Sequence, residues 1–130
     1  MPSDERCPCG SGDGYAHCCG PLHRDDLAAG TAIALMRSRF SAFAIGDADY
    51  LLATWHHATR PKTLRLDDTI IWRRLQIVDT EAGGASDEVG VVEFRAQYVT
   101  NGERRILHER SRFARTGDGT WRYLDGQVID

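Results

Sequence analysis

All four cysteines of this 130-residue chain fall in one short run, Cys7-Pro8-Cys9-Gly10-Ser11-Gly12-Asp13-Gly14-Tyr15-Ala16-His17-Cys18-Cys19. Thiols at that density either bind a metal or oxidise, and in a reducing compartment metal is the outcome. Cys7 and Cys9 flank a single residue, so a tight turn aims both sulfurs at one ion. Three glycines in the segment before Cys18 let the chain double back. Cys18 and Cys19 then complete a tetrahedral thiolate set, closed to substrate, as in structural zinc sites. Adjacent ligands are geometrically awkward, which leaves His17 or His23 as a substitute for one of the last pair. A disulfide pair or free thiols are the alternatives to metal. Gly10-Ser11-Gly12 lacks the preceding strand and following lysine of a phosphate loop. Its amides are expected to donate to the cysteine sulfurs.

A second set of groups could do chemistry only if strands bring it together: Tyr98, Glu109, Ser111, Tyr123 and Asp125. Their positioning depends on the elements after residue 30. From Thr31 the pattern is helical, with Ile33, Met36, Phe40, Phe43 and Ala44 on one apolar stripe. Thr31 is the expected N-cap and Gly46 the stop. Asp47 caps a second helix, with Tyr50, Leu51, Thr54 and Trp55 on one face and Pro61 closing it. Leu66 to Trp72 reads as a short helix leading into a strand. The period then changes to two: Leu75–Thr80, Val89–Thr100, Glu103–Arg115 and Thr120–Ile129 are strands, joined by turns at Gly83-Gly84, Asn101-Gly102 and Gly117-Asp118-Gly119. Helices followed by an antiparallel meander define an α+β class.

Asn101-Gly102 is a two-residue hairpin signal, and it fixes a register. Thr100 faces Glu103, so Val92, Phe94, Ala96 and Tyr98 share a face with Leu107, Glu109, Ser111 and Phe113. The opposite face pairs Glu93 with Arg110 and Arg95 with His108, a solvated charged surface. Glu109 and Ser111 therefore sit on the apolar side. A carboxylate there must accept hydrogen bonds, ionise abnormally or line a wet pocket. A three-residue turn before the last strand would add Trp121, Tyr123 and Asp125 to the same concave side, whereas a two-residue turn would expose them. The aromatic residues favour the inward choice.

Composition sets limits on partners. An apolar fraction of 42% and a charged fraction of 27% suit one globular unit. The net charge of -3 has the wrong sign for nucleic-acid binding through the overall field. Lys62 is the single lysine among 16 cationic residues. No apolar run approaches the length of a membrane span. The start, Met1 to Arg6, is polar and shows no signal peptide, so a cytoplasmic location is expected. No nucleophile elbow surrounds any serine. Trp55, Trp72 and Trp121 lack an excess of basic neighbours and are read as core before stacking platforms. Adjacent His56 and His57 are expected to point apart on a helix.

The run C-P-C-G-S-G, then tyrosine, then C-C, resembles the SEC-C motif, the zinc tail of the bacterial SecA translocation motor. That resemblance implies zinc at Cys7, Cys9, Cys18 and Cys19 and a possible protein partner for the knuckle. The family's lysines around the tyrosine are replaced here by Asp13, Gly14, Ala16 and His17. The helix–meander layout is similar to the nuclear-transport-factor-2-like cone: two or three helices packed on a curved antiparallel four-strand meander. Together with Met36-Arg37-Ser38-Arg39-Phe40-Ser41-Ala42-Phe43, His108-Glu109-Arg110-Ser111-Arg112-Phe113 and Trp121-Arg122-Tyr123-Leu124-Asp125-Gly126, it resembles the YchJ-like family of bacterial proteins. The resemblance implies a knuckle over residues 1–24 and a cone over 25–130.

Two functions are then open. One is a zinc-binding module for a protein or small-molecule partner, with no nucleic acid and no membrane. The other is a hydrolase- or isomerase-type enzyme with Glu109 and Asp125 as acid and base in the cone. A structural role for Glu109, as acceptor for an arginine or amide, is the alternative to both.

Overall fold

In the computed structural model, which describes residues 6–25 and 27–129, the cysteine loop leads into three helices and then a four-stranded sheet. The polar start, Met1–Glu5, lies outside the described residues. After a 3-10 turn at Tyr15–His17 come α1 (Gly20–His23), α2 (Ala32–Ile45) and α3 (Ala48–Ala53). The strands are β1 (Ile70–Ala82), β2 (Val89–Thr100), β3 (Glu103–Arg115) and β4 (Trp121–Val128), antiparallel in the order β1-β2-β3-β4. No helix among the described residues is long and apolar enough to cross a membrane.

The helix boundaries follow from their caps. The Thr31 hydroxyl accepts from the Ala34 amide at 3.1 Å, and Gly46 ends α2 in the left-handed region at φ 80°. Asp47 then accepts from the Tyr50 amide at 3.0 Å and opens α3. That helix stops at Ala53, well before Pro61. Past it the backbone turns onto β4: Tyr123 N–H donates to Thr54 O and His56 N–H to Tyr123 O. Sheet hydrogen bonds to β4 ended the helix before proline could. His56 and His57 accordingly lie beyond the helix, and their rings stack at 4.4 Å rather than diverging.

The β2–β3 register is the one the Asn101-Gly102 turn requires, with Val92 opposite Ser111 and Phe94 opposite Glu109. The first strand differs from expectation. Residues 66–69 form no helix; an Asp67–Thr69 turn feeds a strand that begins at Ile70. Bulges between Trp72 and Arg74 and between Ile77 and Asp79 shift its phase. The first lets Trp72 share the concave side with Leu75 and Ile77 despite the odd spacing, and both bend the sheet.

The core lies between α2 and the concave face: Leu35, Met36, Phe40, Leu75, Val92, Phe94, Phe113 and Trp121. Each such side chain contributes about 1.5–3 kcal/mol of burial. A single stripe does not describe α2, because Ser38, Arg39, Ser41 and Ala42 are buried as well. The sheet covers one side of this helix and the cysteine loop covers another.

Candidate metal centre and cavity

Two turns bring the sulfurs together. Cys7 N–H donates to Asp13 O at 2.8 Å and Gly10 N–H to Cys7 O at 3.2 Å, folding the first pair into a closed loop. Cys18 and Cys19 follow the 3-10 turn. All four Sγ atoms lie within 4.8 Å of one another, and none is in a disulfide. Cys9 and Cys18 approach to 3.6 Å, close to the roughly 3.8 Å edge of a tetrahedron with 2.3 Å metal–sulfur bonds.

The centre is seated on α2. The Ser41 hydroxyl touches two sulfurs, Cys7 at 3.4 Å and Cys19 at 3.3 Å. Arg37 Nη1 donates to Cys9 O at 3.1 Å. On the other side Ser11 Oγ lies 3.1 Å from Cys18 Sγ. Among the described residues the sulfurs meet the Ser41 and Ser11 hydroxyls, one another and, at Cys7, the Cys9 amide, rather than the Gly10-Ser11-Gly12 amides. His23 is not a ligand. Its Nε2–H donates to Ser38 O at 2.7 Å, which leaves Nδ1 to accept from the Tyr15 hydroxyl at 2.6 Å. His17 is exposed and outside the converging set.

The donor chemistry fits a soft divalent cation. As bare thiols the sulfurs divide charge unequally. Hydrogen bonds from Cys19 and then Cys9 hold the Cys7 thiol far below the ordinary range. The same contacts, Cys7 first, push Cys19 far above it. Burial lifts Cys18 to about 11. A cation at their centre would let all four ionise together.

The cavity lies on another side of α2 and measures about 150 Å³. Buried Met36, Arg39, Phe40, Phe94 and Ser111 line its inner part, and half-buried Phe43, Trp55, Trp72, Leu107, Glu109 and Tyr123 complete the walls. Ser111 Oγ donates to Glu109 Oε2 at 2.8 Å. Gly126, opposite Ser111, leaves the room this carboxylate needs: a Cβ there would stand 2.6 Å from Glu109 Cδ and Oε2. Arg39 is only 3% exposed. Its Nη1 donates to Leu51 O at 2.8 Å and Thr54 Oγ1 at 2.7 Å. Its guanidinium carbon lies 4.5 Å from the Tyr123 ring and 5.2 Å from the Trp55 ring. Burial lowers its pKa to about 10, so it stays cationic at neutral pH.

Of the five residues expected in the cone, Glu109, Ser111 and Tyr123 line the cavity. Tyr98 is on the concave side but stands beyond it, against Trp72 at 5.0 Å between ring centres. Asp125 corrects the expectation. The three-residue turn does form, and it places Trp121 opposite Arg115 and Tyr123 opposite Phe113. A bulge at Leu124 then shifts the phase, so Asp125 faces Arg112 on the outer surface. The two make a bidentate pair at 2.7 and 2.5 Å, and Arg112 holds the Asp125 carboxyl below the usual range. The proposed Glu109–Asp125 acid–base couple is therefore not assembled.

Residues 31–126 match the family model described as YchJ, middle NTF2-like domain, and residues 5–21 match the SEC-C motif. The chain belongs to the YchJ-like family. A UPF0225 protein of Streptomyces coelicolor is 52% identical over 124 residues, covering 95% of this chain and 96% of the relative. One from Chromobacterium violaceum is 50% identical over 126 residues, covering 94% and 92%. The solution structure of a SEC-C motif containing protein from Rhodopseudomonas palustris superposes with a TM-score of 0.81 at 32% identity, over 95% of this chain and 98% of that one. A crystal structure of such a protein from Psychrobacter arcticus gives 0.79 at 27% identity, over 98% and 85%.

In this YchJ-like chain, sequence reasoning missed Arg39 and Ser41. Both lie in the run that carried the family resemblance. Their signal was available: a buried-looking helix with Arg37, Ser38, Arg39 and Ser41 crowded into one turn must satisfy those groups somewhere.

Proposed function

We propose that the chain is a zinc-stabilised binding protein, in which a four-thiolate zinc centre holds α2 in place and the cone takes up a small molecule. The observation that carries this reading is the convergence of four unpaired cysteine sulfurs within 4.8 Å, seated through Ser41 on the helix that also lines the cavity. Zinc suits an all-thiolate tetrahedron with no open position, and such a centre is structural rather than catalytic. Reduced thiols are part of the reading, which therefore carries a cytoplasmic setting with it. The buried seating of Cys7, Cys9 and Cys19 favours a stabilising role over that of a free-standing adaptor for a protein partner.

Metal analysis of protein purified without chelators tests the zinc centre. About one equivalent of zinc per chain is expected, and less than about half an equivalent rejects it.

A further inference from the structure

The cavity is apolar around its walls but contains two opposite charges, supplied by two different elements. Arg39 comes from α2. Beyond Nη1 its guanidinium has no hydrogen bond or salt bridge among the described residues, and the Glu109 carboxylate acts on it only through space. Glu109 comes from β3, and only its Oε2 has a hydrogen-bond partner there, the Ser111 hydroxyl. These groups decide which charge a ligand can carry. An anion would gain from Arg39 and be opposed by Glu109, and a cation would meet the reverse. A purely apolar molecule would strip water from both without replacing its hydrogen bonds. A neutral molecule with an acceptor at one edge and a donor at another satisfies both. Flat rings on several walls, Trp55, Trp72, Tyr123 and Phe40 among them, favour a planar body. The volume, about 150 Å³, matches that of an engineered protein cavity that admits benzene.

We infer that the cone binds a neutral, planar amide- or lactam-type molecule, its carbonyl accepting from Arg39 and its N–H donating to Glu109. This deepens the small-molecule part of the proposed function and rests on it.

Four single-ring probes separate the possibilities: benzamide, benzoate and benzamidinium, which share one shape, and the smaller, purely apolar toluene. Each is titrated into the zinc-loaded full chain while the resonances of Trp55, Trp72 and Tyr123 are followed. Benzamide is expected to bind at least ~10-fold more tightly than the other three. In Glu109→Gln the preference should pass to benzoate, whose carboxylate then meets Arg39 alone. Glu109→Ala should show the same inversion and guards against repacking by the glutamine amide. Preference of the native protein for benzoate, benzamidinium or toluene overturns the ligand class while leaving the cavity as a binding site. An unchanged ranking in both variants overturns the role of the charge pair. Failure of all four probes to perturb the cavity overturns the inference and the small-molecule reading together, whereas the zinc centre stands or falls on metal analysis alone.

Discussion

The thiol centre and the cavity share one helix but are built in opposite ways. The centre is local: its four sulfurs lie between Cys7 and Cys19, and two tight turns are enough to gather them. The cavity draws residues from α2, the turn after α3 and all four strands. Local sites are fixed by the chain's own spacing. Distributed sites are fixed by register, where one extra residue moves a side chain to the other face. The difference also predicts how each fails: the first by losing a ligand, the second by small displacements of a neighbour.

The largest effect should come from Cys9→Ser. The variant removes a fully buried thiol, leaves three sulfurs and, if the proposed zinc centre is right, should lose the metal. A fall in the thermal midpoint of about 10 °C or more is expected, since metal binding at such a site is folding free energy. A midpoint within about 2 °C of the parent would show that the cone stands without its centre, and the contrast drawn above would weaken.

Ser41→Ala should act more narrowly. It deletes the hydroxyl that touches the Cys7 and Cys19 sulfurs but no ligand. Zinc affinity, read by chelator competition, should fall about 10–100-fold, as for other supporting contacts around metal ligands. An unchanged affinity would mean that the helix merely lies beside the centre.

Gly126→Ala tests the cavity by the smallest change. The new Cβ would press on the end of the Glu109 side chain, which can swing aside, so stability should fall by only about 1 kcal/mol. The carboxylate would nevertheless leave Ser111. Benzamide should lose most of its advantage over toluene while zinc content stays at one equivalent. Loss of zinc in this variant would erase the separation between the two regions.

How much of this was legible follows from the same contrast. The cysteine run was legible because ligand chemistry and spacing sit in consecutive residues. The β2–β3 face, with Glu109 and Ser111 inward, was legible because Asn101-Gly102 admits one register. Asp125 was misplaced because nothing in the local residues announces the bulge at Leu124. The Arg112–Asp125 pair that accompanies the shift is a tertiary contact. The start of β1 was hidden for a similar reason, as bulges break the alternation that identifies strands. Arg39 escaped notice because a helix covered on more than one side shows no clean polar face. Its burial depends on Leu51 and Thr54 at the end of α3 and on Tyr123, far away in the chain.

The double attachment of α2 restricts what mutation can do to it. Consecutive residues on a helix point about 100° apart, so Phe40 and Ser41 cannot be reoriented independently. Turning the helix enough to admit a bulkier guest would carry the Ser41 hydroxyl away from the sulfurs. Changes in the protein's taste for ligands are therefore expected to arise on β3 and β4, while the helix stays as it is.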